Sequence, residues 1–89
     1  MTIPTQLDGA TVCWFLEAPS LGVAETATGR EKPICALAVG RYSDSMFHVF
    51  ALSADGVVLG DLAFASEVEA MHQAEEFYDA PSGAWQRVS

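Results

Sequence analysis

Apolar residues occur in four short runs that are rich in β-branched and aromatic side chains and are bounded by glycine, proline or small polar residues. Runs of this length and content are typical of β-strands. We therefore predict strands at 11–18, 33–42, 46–53 and 57–64. Between them, we predict tight turns at 43–45 and 54–56 and a longer loop at 19–32, with a short strand around 23–28.

The pattern changes to a helical period after residue 65. Ser66 followed three residues later by Glu69 forms a capping box, in which the serine hydroxyl accepts a hydrogen bond from a free N–H of the first turn. The sequence Asp-Ala-Pro-Ser-Gly at 79–83 ends the helix. On a helical projection one side is apolar and is expected to face the core: Ala70, Met71, Ala74, Phe77 and Tyr78. The opposite side carries Glu69, His72, Glu76 and Asp79.

These elements predict a single α+β domain that spans residues 1–89. Its sheet is an antiparallel meander of four to five strands, and one C-terminal helix packs on one face of the sheet. The loop at 19–32 is long enough to carry the first strand to either edge of the meander. The order of that strand is therefore left open by the sequence.

Both faces of the predicted sheet are apolar, which one helix does not explain. Val12, Trp14 and Leu16 alternate with Cys13 and Phe15, so neither face of the first strand is polar. A sheet of four strands is about 19 Å wide and a helix is about 10 Å across, so one helix covers about half of one face. Either the sheet curls around its own core or a second chain covers the remainder, and we expect a homodimer.

The charge of the chain limits its partners. The net charge is −8, and the basic residues are Arg30, Lys32, Arg41 and Arg87, which are not clustered. Binding to nucleic acid or to an anionic membrane depends on clustered basic residues, so both are disfavoured. A basic protein is a compatible partner.

The N-terminal segment lacks the basic and apolar regions of a signal peptide, and no apolar run reaches the about 18–20 residues that span a membrane. We expect Cys13 and Cys35 to be reduced and buried, and the protein to be cytoplasmic.

Catalytic and cofactor signatures are weak. His72 lies within helical reach of Glu69, Glu75 and Glu76, which is a combination that binds divalent metals. However, neither a metalloprotease-type motif nor a cysteine–histidine spacing accompanies it. The cysteines lie in apolar segments that disfavour a thiolate, and no glycine-rich phosphate loop is present. We therefore expect a protein that is not an enzyme and has no metal or other cofactor.

The segment LGDLAFASEVEAMHQAEEFYD at 59–79 resembles small bacterial immunity and antitoxin-type domains, including the HicB-like antitoxins. In these domains a strand that ends in Gly-Asp precedes a capped, acidic helix with alanines on its inner side. The proline-glycine-cysteine turn that comes before a HicB-like helix is absent from this chain. The resemblance implies a small, acidic, non-enzymatic protein that masks a basic toxin.

Two readings of function follow. In the leading one, the acidic helix binds a basic partner through Glu69, His72, Glu75, Glu76 and Asp79, although a purely solvating role for these acids is the simpler alternative. In the rival reading, the chain is a small-ligand-binding or enzymatic domain whose cavity lies between the sheet face and a second subunit and is lined by Trp14, Phe47 and His48. A structural oligomerisation domain without a ligand is a third alternative.

Overall fold

The computed structural model describes residues 2–19, 21–43 and 45–89. The strands are β1 (Gln6–Leu7), β2 (Ala10–Glu17), β3 (Val23–Glu25), β4 (Glu31–Pro33), β5 (Ala36–Arg41), β6 (Phe47–Leu52), β7 (Val58–Phe64) and β8 (Gln86–Arg87). The helix α1 (Glu67–Tyr78) follows β7, and a short 3₁₀ helix (Ser82–Ala84) precedes β8. The predicted α+β class, with an antiparallel sheet followed by one C-terminal α-helix, is confirmed.

The four long strands lie in chain order, β2-β5-β6-β7, and all pairs are antiparallel. The strand order that the sequence left open is therefore that of a simple meander. Two short strands, β1 and β8, both pair with the outer side of β2 and enlarge the sheet to six strands. Strands β3 and β4 form a separate hairpin within the predicted loop. The predicted turn at 43–45 includes Asp44, which lies outside the described residues.

Helix α1 begins and ends as its local sequence dictates. The hydroxyl of Ser66 accepts a hydrogen bond from the backbone N–H of Glu69 at 3.1 Å. Asp79 ends the helix in the left-handed conformation with φ of 53°. The core side of the helix buries Ala70, Ala74 and Tyr78. The prediction that Phe77 also faces the core is wrong: its side chain is 71% exposed and stands edge-on to the Tyr78 ring.

A β-bulge in β2 decides which side chains share a face. Val12 pairs with Gly40 of β5 and Trp14 pairs with Val39, so Cys13 is an extra residue in the ladder. Because side chains alternate along a regular strand, Val12 and Trp14 would otherwise share a face. The bulge places Trp14 with the cluster under α1, whereas Val12 joins the cluster on the opposite face.

The face opposite α1 is closed by the chain itself. Its cluster contains the fully buried rings of Phe15 and Phe50. Leu7 from β1 and Val58 from β7 pack against this same cluster although these strands lie at opposite edges of the sheet. The residues of this cluster are completely buried although α1 lies on the other face, so the sheet curves around them. Our expectation that this face requires a second chain does not hold, because curvature buries it within one chain.

On this face, Gly40 of β5 packs closely against the side chain of Phe50 from β6. Gly40 lies beneath the Phe50 ring, and a side chain at position 40 would approach that ring to 2.9 Å. Along the edge of the sheet, β7 pairs with β6 and with no other strand in the described part of the chain. None of the helices within the described ranges has the length and apolar character needed to cross a membrane.

Candidate functional site

A groove of about 400 Å³ runs beside α1, between the helix and the C-terminal segment. Both tryptophans of the chain, Trp14 and Trp85, line it. The other lining residues are Val68, Met71, His72, Glu75 and Ser82. The site thus combines two large aromatic surfaces with an acid and a histidine, on a scaffold of strand, helix and 3₁₀ helix.

The indole of Trp14 is held in place by two charged groups. Its Nε1–H donates a hydrogen bond to Oε1 of Glu67, the first residue of α1, at 3.1 Å. Arg87, which pairs with Trp14 across the β2–β8 ladder, places its guanidinium carbon 4.9 Å from the centre of the indole ring. This is the geometry of a cation–π contact, which is worth about 0.5–1 kcal/mol at an exposed site.

The C-terminal segment brings Trp85 to the other end of the groove. After Asp79 and Pro81 the chain turns through the 3₁₀ helix and returns along β2 as β8. The Nε1–H of Trp85 then donates to Oε2 of Glu75 at 2.8 Å. The two carboxylates that receive the indoles, at positions 67 and 75, are eight residues apart and lie on the same side of the helix.

The groove is electrostatically negative. Neither Glu67 nor Glu75 forms an ion pair with a basic residue among the described residues. The last turn of α1, which includes Glu75, contains no basic residue, although the negative end of a helix dipole favours cations there. Burial, reinforced by the charge of Glu67, raises the pKa of the Cys13 thiol. A positive group that enters the groove would therefore meet the carboxylate of Glu75, which has no basic partner on α1, while the guanidinium of Arg87 lies at Trp14.

The structure divides the acidic residues that the sequence grouped together. Glu69 and Glu76 are exposed on the outer side of α1, and Asp79 is exposed at its end. Glu75 is instead half-buried and turned towards Trp85. His72 is exposed and lies between the outer side of α1 and the groove, which it also lines.

The residues of the rival reading are also separated. Trp14 and Phe47 pack at the margin of the cluster under α1. His48 points to the opposite face, because neighbouring side chains in a strand alternate. There its Nδ1 lies 2.7 Å from Oδ1 of Asp61, and the Tyr42 ring stands edge-on to it at 4.7 Å. A single cavity lined by Trp14, Phe47 and His48 is therefore wrong.

Several groove residues were missed by the sequence analysis. It assigned no role to Trp85, which lines the groove, or to Glu67, which accepts the hydrogen bond from Trp14. The hydrogen bonds from the two indoles to Glu67 and Glu75 depend on the bulge in β2 and on the path of the C-terminal segment. Neither of these features has a local signature in the sequence. The one available clue was that acids at positions 67 and 75 share a helix side.

Among the residues that the structure describes, no group of three or more histidine, cysteine, aspartate or glutamate side chains is arranged to hold a metal ion. Comparison with known proteins finds no family model, curated protein or solved structure that matches the chain significantly. The candidate site therefore has to be interpreted from its own chemistry.

Proposed function

We propose that the protein is a non-catalytic binding module with an immunity- or antitoxin-like role, and that α1 binds a basic protein partner. The observation that carries the proposal is the composition of α1. Glu69 and Glu76 stand exposed on its outer side, Asp79 follows at its end, and the helix contains no lysine or arginine to neutralise them.

This arrangement has a cost for the isolated protein. Acids in the last turn of a helix oppose the helix dipole, at about 0.3–1 kcal/mol each. A basic partner would remove this cost and would be attracted from a distance by a chain of net charge −8. The HicB-like segment at 59–79 supports the same reading, as does the small size of the domain.

Charge reversal tests the proposal. We expect Glu69→Lys with Glu76→Lys to abolish capture of a basic partner from a bacterial lysate at low salt. The matched control is Glu25→Lys with Glu31→Lys, which changes the net charge equally on the exposed β3–β4 hairpin. Capture of the same partner at equal yield by both double variants would mean that α1 is not the binding surface.

Self-association and location belong to the same proposal. The main reason to expect a homodimer was an uncovered sheet face, and the chain buries the face opposite α1 by itself. Light scattering over a tenfold concentration range tests directly whether the protein forms a dimer. A mass of 9.5 kDa would leave a monomer that binds its partner alone, whereas twice that mass would establish the dimer. The thiols of Cys13 and Cys35 are free, which is compatible with the cytoplasm.

A further inference from the structure

The groove between the two tryptophans provides a more specific contact than the outer face of α1. We propose that it binds an arginine side chain of the basic partner, with the guanidinium between an indole face and the carboxylate of Glu75. This inference rests on the proposed function, since it names the group through which the basic partner is held.

The size of the groove suits a side chain rather than a folded element. Its volume of about 400 Å³ lies near the lower end of the range for pockets that hold small molecules. The aliphatic part of an arginine would pack on Val68 and Met71, which line the groove. Val68 is 64% exposed, so this apolar surface is not occupied by the protein itself.

The chemistry of the walls favours a planar cation. Arg87 places its guanidinium carbon 4.9 Å from the centre of the Trp14 ring and occupies a face of that indole, so the indole face offered to the partner's arginine is that of Trp85, which also lines the groove. A guanidinium combines stacking on an aromatic face with paired hydrogen bonds to a carboxylate, whereas a lysine ammonium is a more strongly hydrated point charge. The complementary charge is supplied by Glu75, with Glu67 beyond it at the other indole.

The hydrogen bond from Trp85 positions Glu75 for this role. The indole N–H occupies one lone pair of Oε2 at 2.8 Å, and a carboxylate has about four acceptor positions. The remaining positions are available to a ligand. Because the side chain is already fixed, less conformational entropy is lost when a guanidinium binds.

The chain carries its own probe for the test. Its two tryptophans, Trp14 and Trp85, both line the groove, so intrinsic fluorescence reports on this site and no other. We would titrate the protein with a Gly-Arg-Gly-Arg-Gly peptide, its lysine counterpart, and its citrulline counterpart, which keeps the shape without the charge. We expect saturable binding of the arginine peptide, weaker binding of the lysine peptide, and binding of the citrulline peptide at least about tenfold weaker.

The decisive variant is Glu75→Gln, with Glu76→Gln as its matched control. Glutamine at 75 keeps an oxygen that accepts the Trp85 N–H, so folding is preserved while the charge is lost. We expect Glu75→Gln to weaken arginine-peptide binding about tenfold, as for a hydrogen bond to a charged group. Glu76→Gln, on the exposed outer side, should change it less than about twofold.

Three outcomes would overturn the inference: no fluorescence change, equal binding of the arginine peptide and either counterpart, or equal effects of the two glutamine variants. Failure here is distinguishable from failure of the proposed function. If the groove binds no arginine but charge reversal at Glu69 and Glu76 still abolishes partner capture, the arginine site is refuted and the proposed function of α1 stands. If the arginine peptide binds and its binding requires Glu75, while charge reversal at Glu69 and Glu76 has no effect on partner capture, the outer side of α1 is refuted as the binding surface.

Discussion

Alanine in place of Gly40 is a direct test of the packing on the sheet face opposite α1. The added Cβ would lie 2.9 Å from Cε2 of Phe50 and 3.0 Å from Cβ of Ala10. Carbon atoms in contact normally lie about 3.5–4.0 Å apart, so both neighbours would have to move by more than half an ångström. Phe50 is fully buried, so its ring cannot swing into solvent.

The expected loss of stability is the difference between two effects. Overpacking of a closed core costs about 1–3 kcal/mol. Replacing glycine by alanine reduces the entropy of the unfolded chain and returns about 0.4–1 kcal/mol. We therefore expect Gly40→Ala to lower the free energy of unfolding by about 1–2 kcal/mol.

Gly60→Ala is the matched control within the same sheet. A Cβ there would lie 3.6 Å from Ala51 and 3.6 Å from the Tyr78 hydroxyl, which is ordinary contact. Urea unfolding of both variants, followed by circular dichroism, gives the comparison, with Gly60→Ala expected to match or exceed the wild type. Equal stability of the two variants would refute the packing of Phe50 over Gly40.

A double substitution identifies the group responsible. Phe50→Leu removes the part of the ring that the new Cβ would meet, so it should recover part of the loss when combined with Gly40→Ala. In a double-mutant cycle this appears as a coupling of about 0.5–3 kcal/mol. Strict additivity would show that the ring does not lie over position 40.

Three further predictions follow from local contacts. Ser66→Ala removes the N-cap of α1 and should lower the free energy of unfolding by about 0.5–2 kcal/mol in urea; no measurable loss would contradict the cap. Burial raises the pKa of Tyr78 above 10.0, so the folded state holds the neutral phenol. The stability of the folded state should be constant below the pKa of an unfolded tyrosine and should decline as the pH rises through the higher pKa of folded Tyr78. Tyr78→Phe should reduce this alkaline decline, measured by urea unfolding at several pH values. An unchanged decline in the variant would contradict the prediction. Cys13 is buried and burial raises its pKa, whereas Cys35 is half-exposed, so iodoacetamide should modify Cys35 first by mass spectrometry; equal rates would contradict the burial of Cys13.

The features predicted well from the sequence are those whose cause is local. The capping serine at 66 and the end of the helix at 79–83 depend on a few neighbouring residues, and the strand runs depend on side-chain type. The meander follows because consecutive strands joined by short turns pair with each other. These signals were sufficient for the fold class and for the position of α1.

The features that were missed depend on how distant segments pair. The extra residue at Cys13 has no signature in the strand itself, yet it moves Trp14 to the helix side and away from Val12. The groove also needs the returning C-terminal strand, only two residues long, to place Trp85 beside Glu75. The sequence analysis consequently grouped Glu75 with the partner-binding acids of α1 and did not foresee its contact with Trp85.

The unpaired edge of the sheet at β7 bears on association between molecules of this protein at high concentration. A strand with an unpaired outer edge is a template on which other chains add, and apolar side chains make such addition more favourable. β7 reads VLGDLAF, in which Asp61 is the sole charged residue. A second chain that extends the sheet at this edge would have to bring its own strand against that carboxylate, which is 41% exposed. Asp61 is therefore the one charge on β7 that an added strand would meet, and its effect would concern association between molecules rather than the folding of one.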